Sequence, residues 1–235
     1  MSTGKRILFI ITSHDQLGNT GKKTGYYVSE LVHPYLELSP LYHIDFASPK
    51  GGPVPADPSS VEAFQKDSAL SAYNNDTKLH EALKNTRKLS EFVGKESDYA
   101  AIFYPGGHGP MYDLAEDKDS QKIAAAAFDK GIIVAAVCHG PGALAHVKLA
   151  DGSHIFKGRK ATSFSNSEEE AVGLMDAVPF LPENGIREAG GLYEKAKEDW
   201  GAHVVVDGNL ITGQNPASAT PLGQVMIMKL AGIKQ

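Results

Sequence analysis

The chain is poor in cysteine: Cys138 is the only one among 235 residues. A single thiol excludes an internal disulfide and a cysteine-rich metal site, and it favours a reducing compartment. We therefore expect a cytoplasmic protein and leave a nuclear location open.

The sequence also lacks an excess of positive charge and any long apolar run. Its 23 basic and 28 acidic side chains give a formal net charge of −5, so no basic face is available for a nucleic-acid backbone. The run "ILFII" near the N-terminus is too short for a membrane span or a signal-peptide core. We expect neither nucleic acid nor membrane as a partner.

Apolar runs alternate with helical patterns along the chain. The strands are predicted at "RILFIIT", "YHIDFAS", "YAAIFYPGG", "IIVAAVC", "GRKATSFS" and "HVVVDGNLITG". Helices are predicted at about 26–38, over much of 61–92, at "DSQKIAAAAFDKG", at "PGALAHV" and at about 219–230. Because the central runs are continuously apolar, they are typical of parallel strands covered on both faces.

These patterns predict an α/β fold with three layers around a doubly wound, mostly parallel sheet of flavodoxin type. We expect one domain over 1–235, with a polar helical insertion at about 67–94.

The stretch "VAAVCHGPGAL" has the layout of a nucleophile elbow, a sharp turn from a buried strand to a helix. Small residues on either side of Cys138 suit such a turn. A thiol there lies at a helix N-terminus, whose dipole favours the thiolate. We therefore predict that Cys138 is a nucleophile with a lowered pKa, which would also make it sensitive to oxidation.

The same stretch resembles the cysteine elbow of the PfpI superfamily, a branch of the class I glutamine-amidotransferase-like folds. The likeness covers nearly the whole chain and is strongest to the glyoxalase III and heat-shock chaperone branch. Further matching segments are "GKKTGYYVSELVHPY", "YPGGHGPMYDL", "SFSNSEEEAVG" and "DGNLITGQNPASA".

The resemblance implies roles for four catalytic residues. Cys138 is the nucleophile, Glu30 lies against its sulfur, and His139 is its partner, oriented by Glu169. The register at "EEE" leaves Glu168 and Glu170 open as alternatives to Glu169. A carboxyl held against the sulfur is desolvated, so we expect a raised pKa for Glu30.

The loop "YPGGHGP" is expected to bind the oxyanion and the substrate, through Gly107 and His108. The remaining histidines show no metal-ligand spacing, so we expect no metal. The loop "GNTGKKTG" does not fit a phosphate-binding loop, because glycine is missing at Gln16 and Ser or Thr at Lys23. No cofactor is expected.

The resemblance implies a glutathione-independent glyoxalase, or D-lactate dehydratase, that converts methylglyoxal to D-lactate in detoxification and stress response. It would be a homodimer acting on a small 2-oxoaldehyde. The alternatives are a holdase chaperone or a protein deglycase. An amidohydrolase or peptidase ranks last, because neighbouring Cys and His side chains usually point apart. The segment 174–200 departs most from the glyoxalase III pattern.

Overall fold

A seven-stranded sheet forms the centre of the protein, in a computed structural model that describes residues 6–233. The strands of the described chain are β1 (Arg6–Ile10), β2 (His43–Ser48), β3 (Arg87–Lys88), β4 (Tyr99–Tyr104), β5 (Ile133–Val137), β6 (Lys160–Ala161), β7 (Leu192–Tyr193), β8 (Val204–Asp207) and β9 (Leu210–Gly213). The order in the central sheet is β3-β2-β1-β4-β5-β9-β8. All neighbours are parallel except β8 and β9. The predicted mostly parallel α/β fold is confirmed.

Helices cover both faces of this sheet. They are α1 (Val28–Leu38), α2 (Pro58–Phe64), α3 (Leu70–Asn75), α4 (Thr77–Lys84), α5 (Lys118–Asp129), α6 (Asn166–Val172), α7 (Pro182–Glu188) and α8 (Ala219–Leu230). None of these helices has the length and apolar character needed to cross a bilayer.

Alternation along the strands divides the core into two layers. In β1, Ile7 and Phe9 pack with residues of α1 and α8, while Leu8 and Ile10 pack with residues of α5. Both sides of the strand are therefore buried, which explains why its sequence is continuously apolar.

Two elements predicted after β5 differ from the observed structure. In "GRKATSFS" only Lys160–Ala161 is strand, and it pairs with β7 in a separate two-stranded sheet. The backbone N–H of Thr162 donates to the Thr212 hydroxyl and that of Phe164 to the Cys138 carbonyl, so the segment packs over strand ends instead of joining the sheet. A 3₁₀ helix over Gly140–Leu144 takes the place of the α-helix predicted at "PGALAHV".

The segment 67–94 contains α3 and α4 and then the short strand β3, which pairs with β2 at the edge of the main sheet. The predicted helical pattern up to residue 92 is wrong after Lys84. There the backbone N–H of Thr86 pairs with Gly52 and turns the chain toward the sheet.

The sheet order brings the segments that carry the candidate site residues to one edge of the sheet. From β1 the chain passes to β2 on one side, and it later returns to β4 on the other, which leaves a crevice at the carboxyl ends of β1 and β4. The segment 105–108 follows β4, and Cys138 follows β5 directly beside it. The candidate site therefore lies where ligands bind in open parallel sheets.

Replacing Phe9 tests how much the packed layer beneath the site contributes to the stability of the fold. Its ring is fully buried and packs edge-on against Phe46 and Phe103, with ring centroids 5.5 Å and 4.8 Å away. We expect Phe9→Ala to lower the free energy of unfolding by about 3–5 kcal/mol, measured by urea denaturation, because it leaves a cavity. The control Leu41→Ala removes a side chain that is 40% exposed and should change it by less than about 0.5 kcal/mol. Equal effects of the two changes would contradict this packing.

Candidate active site

Cys138 occupies a strained turn at the end of β5. Its φ is +60°, a left-handed conformation that residues with a side chain seldom adopt. Two backbone hydrogen bonds hold it there: its N–H donates to Gly213 O at 2.9 Å, and its carbonyl accepts from Phe164 N at 2.8 Å. The geometry is that of the predicted nucleophile elbow.

The turn brings the side chains of Cys138 and His139 together. His139 Nδ1 lies 3.3 Å from Cys138 Sγ. The expectation that sequence neighbours point apart is therefore wrong here. It assumed ordinary extended or helical backbone, whereas the left-handed φ of Cys138 rotates the chain between the two residues.

The other imidazole nitrogen of His139 meets a buried carboxylate. Nε2 lies 2.5 Å from Glu169 Oε2, and both residues are almost completely buried. Because a carboxylate accepts, Nε2 carries the proton and Nδ1 presents its lone pair to the sulfur. Burial alone would raise the pKa of Glu169, but His139 and His108 hold it well below its usual value. Burial, followed by the nearby His108, lowers the pKa of His139.

The three consecutive glutamates of α6 have different environments. Glu169 is the one that contacts His139. Glu168 is buried and holds neighbouring segments together: its oxygens accept hydrogen bonds from Ser165, Trp200, Gln214 and Asn215. Glu170 is exposed.

His108 binds the second oxygen of the same carboxylate. Its Nε2 lies 2.8 Å from Glu169 Oε1, and its ring centroid is 4.1 Å from that of His139. The sequence led us to expect His108 in the loop that binds the oxyanion and the substrate, and it did not predict a contact with Glu169. His108 and Glu169 are 61 positions apart in the sequence, and no local pattern predicts a contact between them.

Glu30 lies beneath the sulfur and has no exposed surface. Helix α1 is anchored there because Tyr27 N donates to Gly106 O at 3.0 Å. Gly106 has no side chain at this point, and a Cβ would overlap the Glu30 carboxyl and the Cys138 Cβ. The close approach of α1 to the elbow therefore requires glycine.

Burial raises the pKa of Glu30 to about 8, although the Cys138 thiol and the N–H groups of Gly106 and Gly107 approach it and oppose the shift. Neither carboxyl oxygen has a hydrogen bond of normal length and angle within the described chain. An unpaired buried carboxylate is costly, so the carboxyl retains its proton near neutral pH.

The Cys138 thiol is not the acidic group that the sequence suggested. Burial, and then the negative charge of Glu30, raise the pKa of Cys138 well above its usual value. The structure following it is a five-residue 3₁₀ helix, whose dipole is weak, so desolvation outweighs it. The resting form is a neutral thiol, and a base must remove its proton.

Two backbone groups border the place where an oxyanion could form. Gly107 has φ +89°, and a Cβ there would overlap Gly25 and Tyr27. Its N–H approaches Glu30, as noted above. The N–H of His139 donates to no protein acceptor in the part of the chain described.

A cavity of about 330 Å³ opens over the sulfur. Its inner end carries Cys138, His139 and His108, and its walls are mostly apolar. The lining is completed by Tyr27, Asp57, Ser59, Gly107, Phe164, Val172, Leu174, Trp200 and Pro216. The sequence analysis missed Phe164 and Trp200, although Trp200 is the only tryptophan in the chain.

His108, His139 and Glu169 are also the side chains that could hold a metal ion, since one ligand atom from each lies within 4.8 Å of the others. The spacing of these residues in the sequence did not indicate this grouping. Their facing atoms already form the two hydrogen bonds described above, so the geometry is accounted for by the protein alone.

Known proteins are similar to this chain in sequence and in fold. A candidate relative, "Glyoxalase 3" of Candida albicans, is 33% identical over 230 residues, covering 94% of this chain and 97% of that protein. A crystal structure of glyoxalase III from the same organism covers 97% of this chain and 98% of its own, with TM-score 0.87 and 32% identity. The 24 kDa Rapid Encystment Protein of Francisella tularensis is 37% identical, with TM-score 0.90 over 96% of this chain and 99% of that one.

The family comparison agrees with the elbow, the fold and these relatives. The model of the DJ-1/PfpI family matches residues 86–229, which include the loop after β4, Cys138 and the segment carrying Glu169. The chain belongs to the DJ-1/PfpI family, and two relatives of the glyoxalase III and glutathione-independent glyoxalase type match it at 30–33% identity over 94–98% of its length.

Proposed function

We propose that the protein is a glutathione-independent glyoxalase that converts methylglyoxal to D-lactate in detoxification. The observation that carries the proposal is the contact of one sulfur with both a histidine and a protonated carboxyl, at Cys138, His139 and Glu30. The glyoxalase relatives support it at the level of the family.

In the first step Cys138 attacks the aldehyde carbon of methylglyoxal. His139 Nδ1 accepts the thiol proton, a new S–C bond forms, and the carbonyl oxygen becomes an alkoxide. Backbone N–H groups of Gly107 and His139 stabilise this oxygen. Return of the proton from His139 to the alkoxide gives a neutral hemithioacetal, and Glu169 stabilises the transient imidazolium.

In the second step a proton moves from the former aldehyde carbon to its neighbour. Because that carbon is bonded to Sγ, it is held beside Glu30, which flanks the sulfur. Ionised Glu30 removes the C–H proton, and the electron pair moves to the neighbouring carbonyl oxygen, which gives an enediolate. Glu30 returns this proton to the second carbon, and His139 carries the hydroxyl proton of the first carbon to the oxygen of the second, which gives a thioester and restores both residues.

In the last step water hydrolyses the thioester to lactate and the free thiol. The aldehyde carbon is oxidised to the level of an acid and the ketone carbon is reduced to an alcohol, so no external oxidant or reductant is needed. The protein supplies the thiol that glutathione supplies elsewhere.

A cysteine hydrolase is the second candidate, and a specific observation favours it. Cys138, His139 and Glu169 form a connected triad with the geometry of an acyl-transfer enzyme. The low rank that the sequence gave this function rested on the expectation that Cys138 and His139 point apart. A hydrolase has no use for a second proton acceptor beside its sulfur, however, so Glu30 distinguishes the two reactions.

The central test is D-lactate formation from methylglyoxal without glutathione. We expect Cys138→Ala to abolish turnover and Glu30→Gln to lower kcat by at least about 10²-fold, because each removes a group that the chemistry requires. Glu37→Gln, which changes the other glutamate of α1, should behave as wild type. Normal turnover by Cys138→Ala would disprove the mechanism. If Cys138→Ala abolishes an amide-hydrolysis activity of wild type rather than lactate formation, the second candidate is favoured.

The dependence of kcat/KM on pH tests whether Glu30 is the base that removes the C–H proton. Burial raises the pKa of Glu30 above its unfolded value, and the ionised form is the active one, so kcat/KM should rise with pH through an apparent pKa of about 8. This value belongs to the coupled pair of Glu30 and Cys138. A profile that is flat or falls between about pH 6 and pH 9 would rule out Glu30 as the base.

His108 acts as a positioning residue in this scheme. His108→Ala frees one oxygen of Glu169, and we expect kcat to fall about tenfold or more. Because His108 lowers the pKa of His139, the break in the profile that belongs to His139, at lower pH than the Glu30 limb, should also move to higher pH. His108→Gln retains a donor and should recover much of kcat. His146→Ala, at an exposed histidine, is the control; an unmoved His139 break in His108→Ala would show that His108 is merely structural.

A further inference from the structure

We propose that Trp200 and Phe164 form an aromatic wall that selects neutral 2-oxoaldehydes with an aromatic substituent over methylglyoxal. This inference rests on the proposed function and names the preferred substrate class of the same site. It follows from the size of the cavity, the order of its aromatic rings, the way Trp200 is held and the charges of the lining.

The cavity is too large for methylglyoxal alone. Its volume of about 330 Å³ falls in the range of pockets that enclose ligands of drug size. Methylglyoxal carries only a methyl group beside its two carbonyls, so once attached to Cys138 it leaves the outer part of the cavity unfilled. A larger substituent would occupy this part and displace water from apolar walls.

The aromatic rings run in sequence from the reacting centre to the mouth. The Phe164 ring centroid lies 4.6 Å from that of His139. The Trp200 ring packs edge-on against Phe164, with centroids 5.7 Å apart and planes at 60°. Phe164 is buried, whereas Trp200 is 48% exposed, so part of its indole surface is available to a ligand.

Trp200 is held in place at a conformational cost. Its φ is +66°, and together with Cys138 it is one of two residues other than glycine with positive φ in the described chain. The backbone N–H of Trp200 donates to Glu168 Oε1 at 2.9 Å, and that carboxylate is fully buried. Strained backbone persists where the surroundings fix it, commonly at ligand clamps. An exposed tryptophan with no role would not need such an anchor.

The same carboxylate is fixed by three further residues. Glu168 accepts hydrogen bonds from Gln214 and Asn215 on Oε1 and from Ser165 on Oε2. Because α6 also carries Glu169, the helix that orients His139 also anchors the aromatic wall. The position of Trp200 is thereby tied to the position of the catalytic pair.

The charges at the cavity favour a neutral substituent. Among residues 6–233 its lining contains no lysine or arginine, and it includes Asp57. The buried acids Glu168 and Glu169 lie directly behind it. A substrate bearing a carboxylate or phosphate would find no cation to neutralise it, whereas an aromatic ring would contact Trp200 and the apolar side chains Val172 and Leu174.

The test compares kcat/KM for phenylglyoxal and for methylglyoxal. We expect wild type to prefer phenylglyoxal, and Trp200→Ala to lower the ratio of the two values by about tenfold or more. Trp200→Phe should restore most of the ratio, since it returns an aromatic face. Leu41→Ala, which removes an exposed apolar side chain outside the cavity, should leave both values unchanged. Turnover of methylglyoxal with no preference for phenylglyoxal, or an equal ratio in Trp200→Ala, would overturn the inference and leave the proposed function standing.

A binding measurement separates this inference from turnover. Cys138 is the only cysteine, so alkylation by iodoacetamide reports on that one thiol. Acetophenone, a neutral aromatic ketone, should slow alkylation of wild type several-fold, and protection should be lost in Trp200→Ala. Protection without turnover of either aldehyde would mean that the aromatic site is present and the glyoxalase proposal is wrong. Absence of protection in wild type would reject the aromatic wall.

Discussion

The left-handed turn at Cys138 is the constraint on which the site depends. A residue with a side chain at φ +60° is unfavourable, and the turn is held by hydrogen bonds to Gly213 on one side and Phe164 on the other. It allows two consecutive side chains to meet, so that His139 Nδ1 faces the sulfur. Without it, the elbow would present a thiol with no base. Packing of β5 between β4 and β9 supplies the rigidity that keeps it.

The second constraint is the burial of Glu30 beside the thiol. Burial raises the pKa of both groups, and the negative charge of Glu30 raises that of Cys138 further. The resting site therefore holds two protons, one on the Glu30 carboxyl and one on the Cys138 thiol. In the pair of His139 and Glu169 the carboxyl is ionised instead: a neutral imidazole faces a carboxylate whose pKa is well below its usual range. The two acids thus have separate roles set by their surroundings.

The sequence predicted those features that arise from local pattern. Continuous apolar runs identified the central parallel strands, and the small residues around Cys138 identified the elbow. The contact of His108 with Glu169 and the place of Trp200 could not be predicted, because they depend on how α6 and the segment before β8 pack over the strand ends. The pKa of Cys138 was misjudged because the dipole of a following helix is visible in a sequence, whereas desolvation by the core and the nearby charge of Glu30 are properties of the folded protein.

The most direct test of the account is the rate of Cys138 alkylation by iodoacetamide as a function of pH, in wild type and in Glu30→Gln. The chain has one cysteine, so the measurement reports on one group and does not depend on any substrate. Because Glu30 contributes to the raised pKa of the thiol, the midpoint of the alkylation profile should lie above the usual value in wild type and move to lower pH in Glu30→Gln. Coincident profiles would contradict the coupling of Glu30 to Cys138.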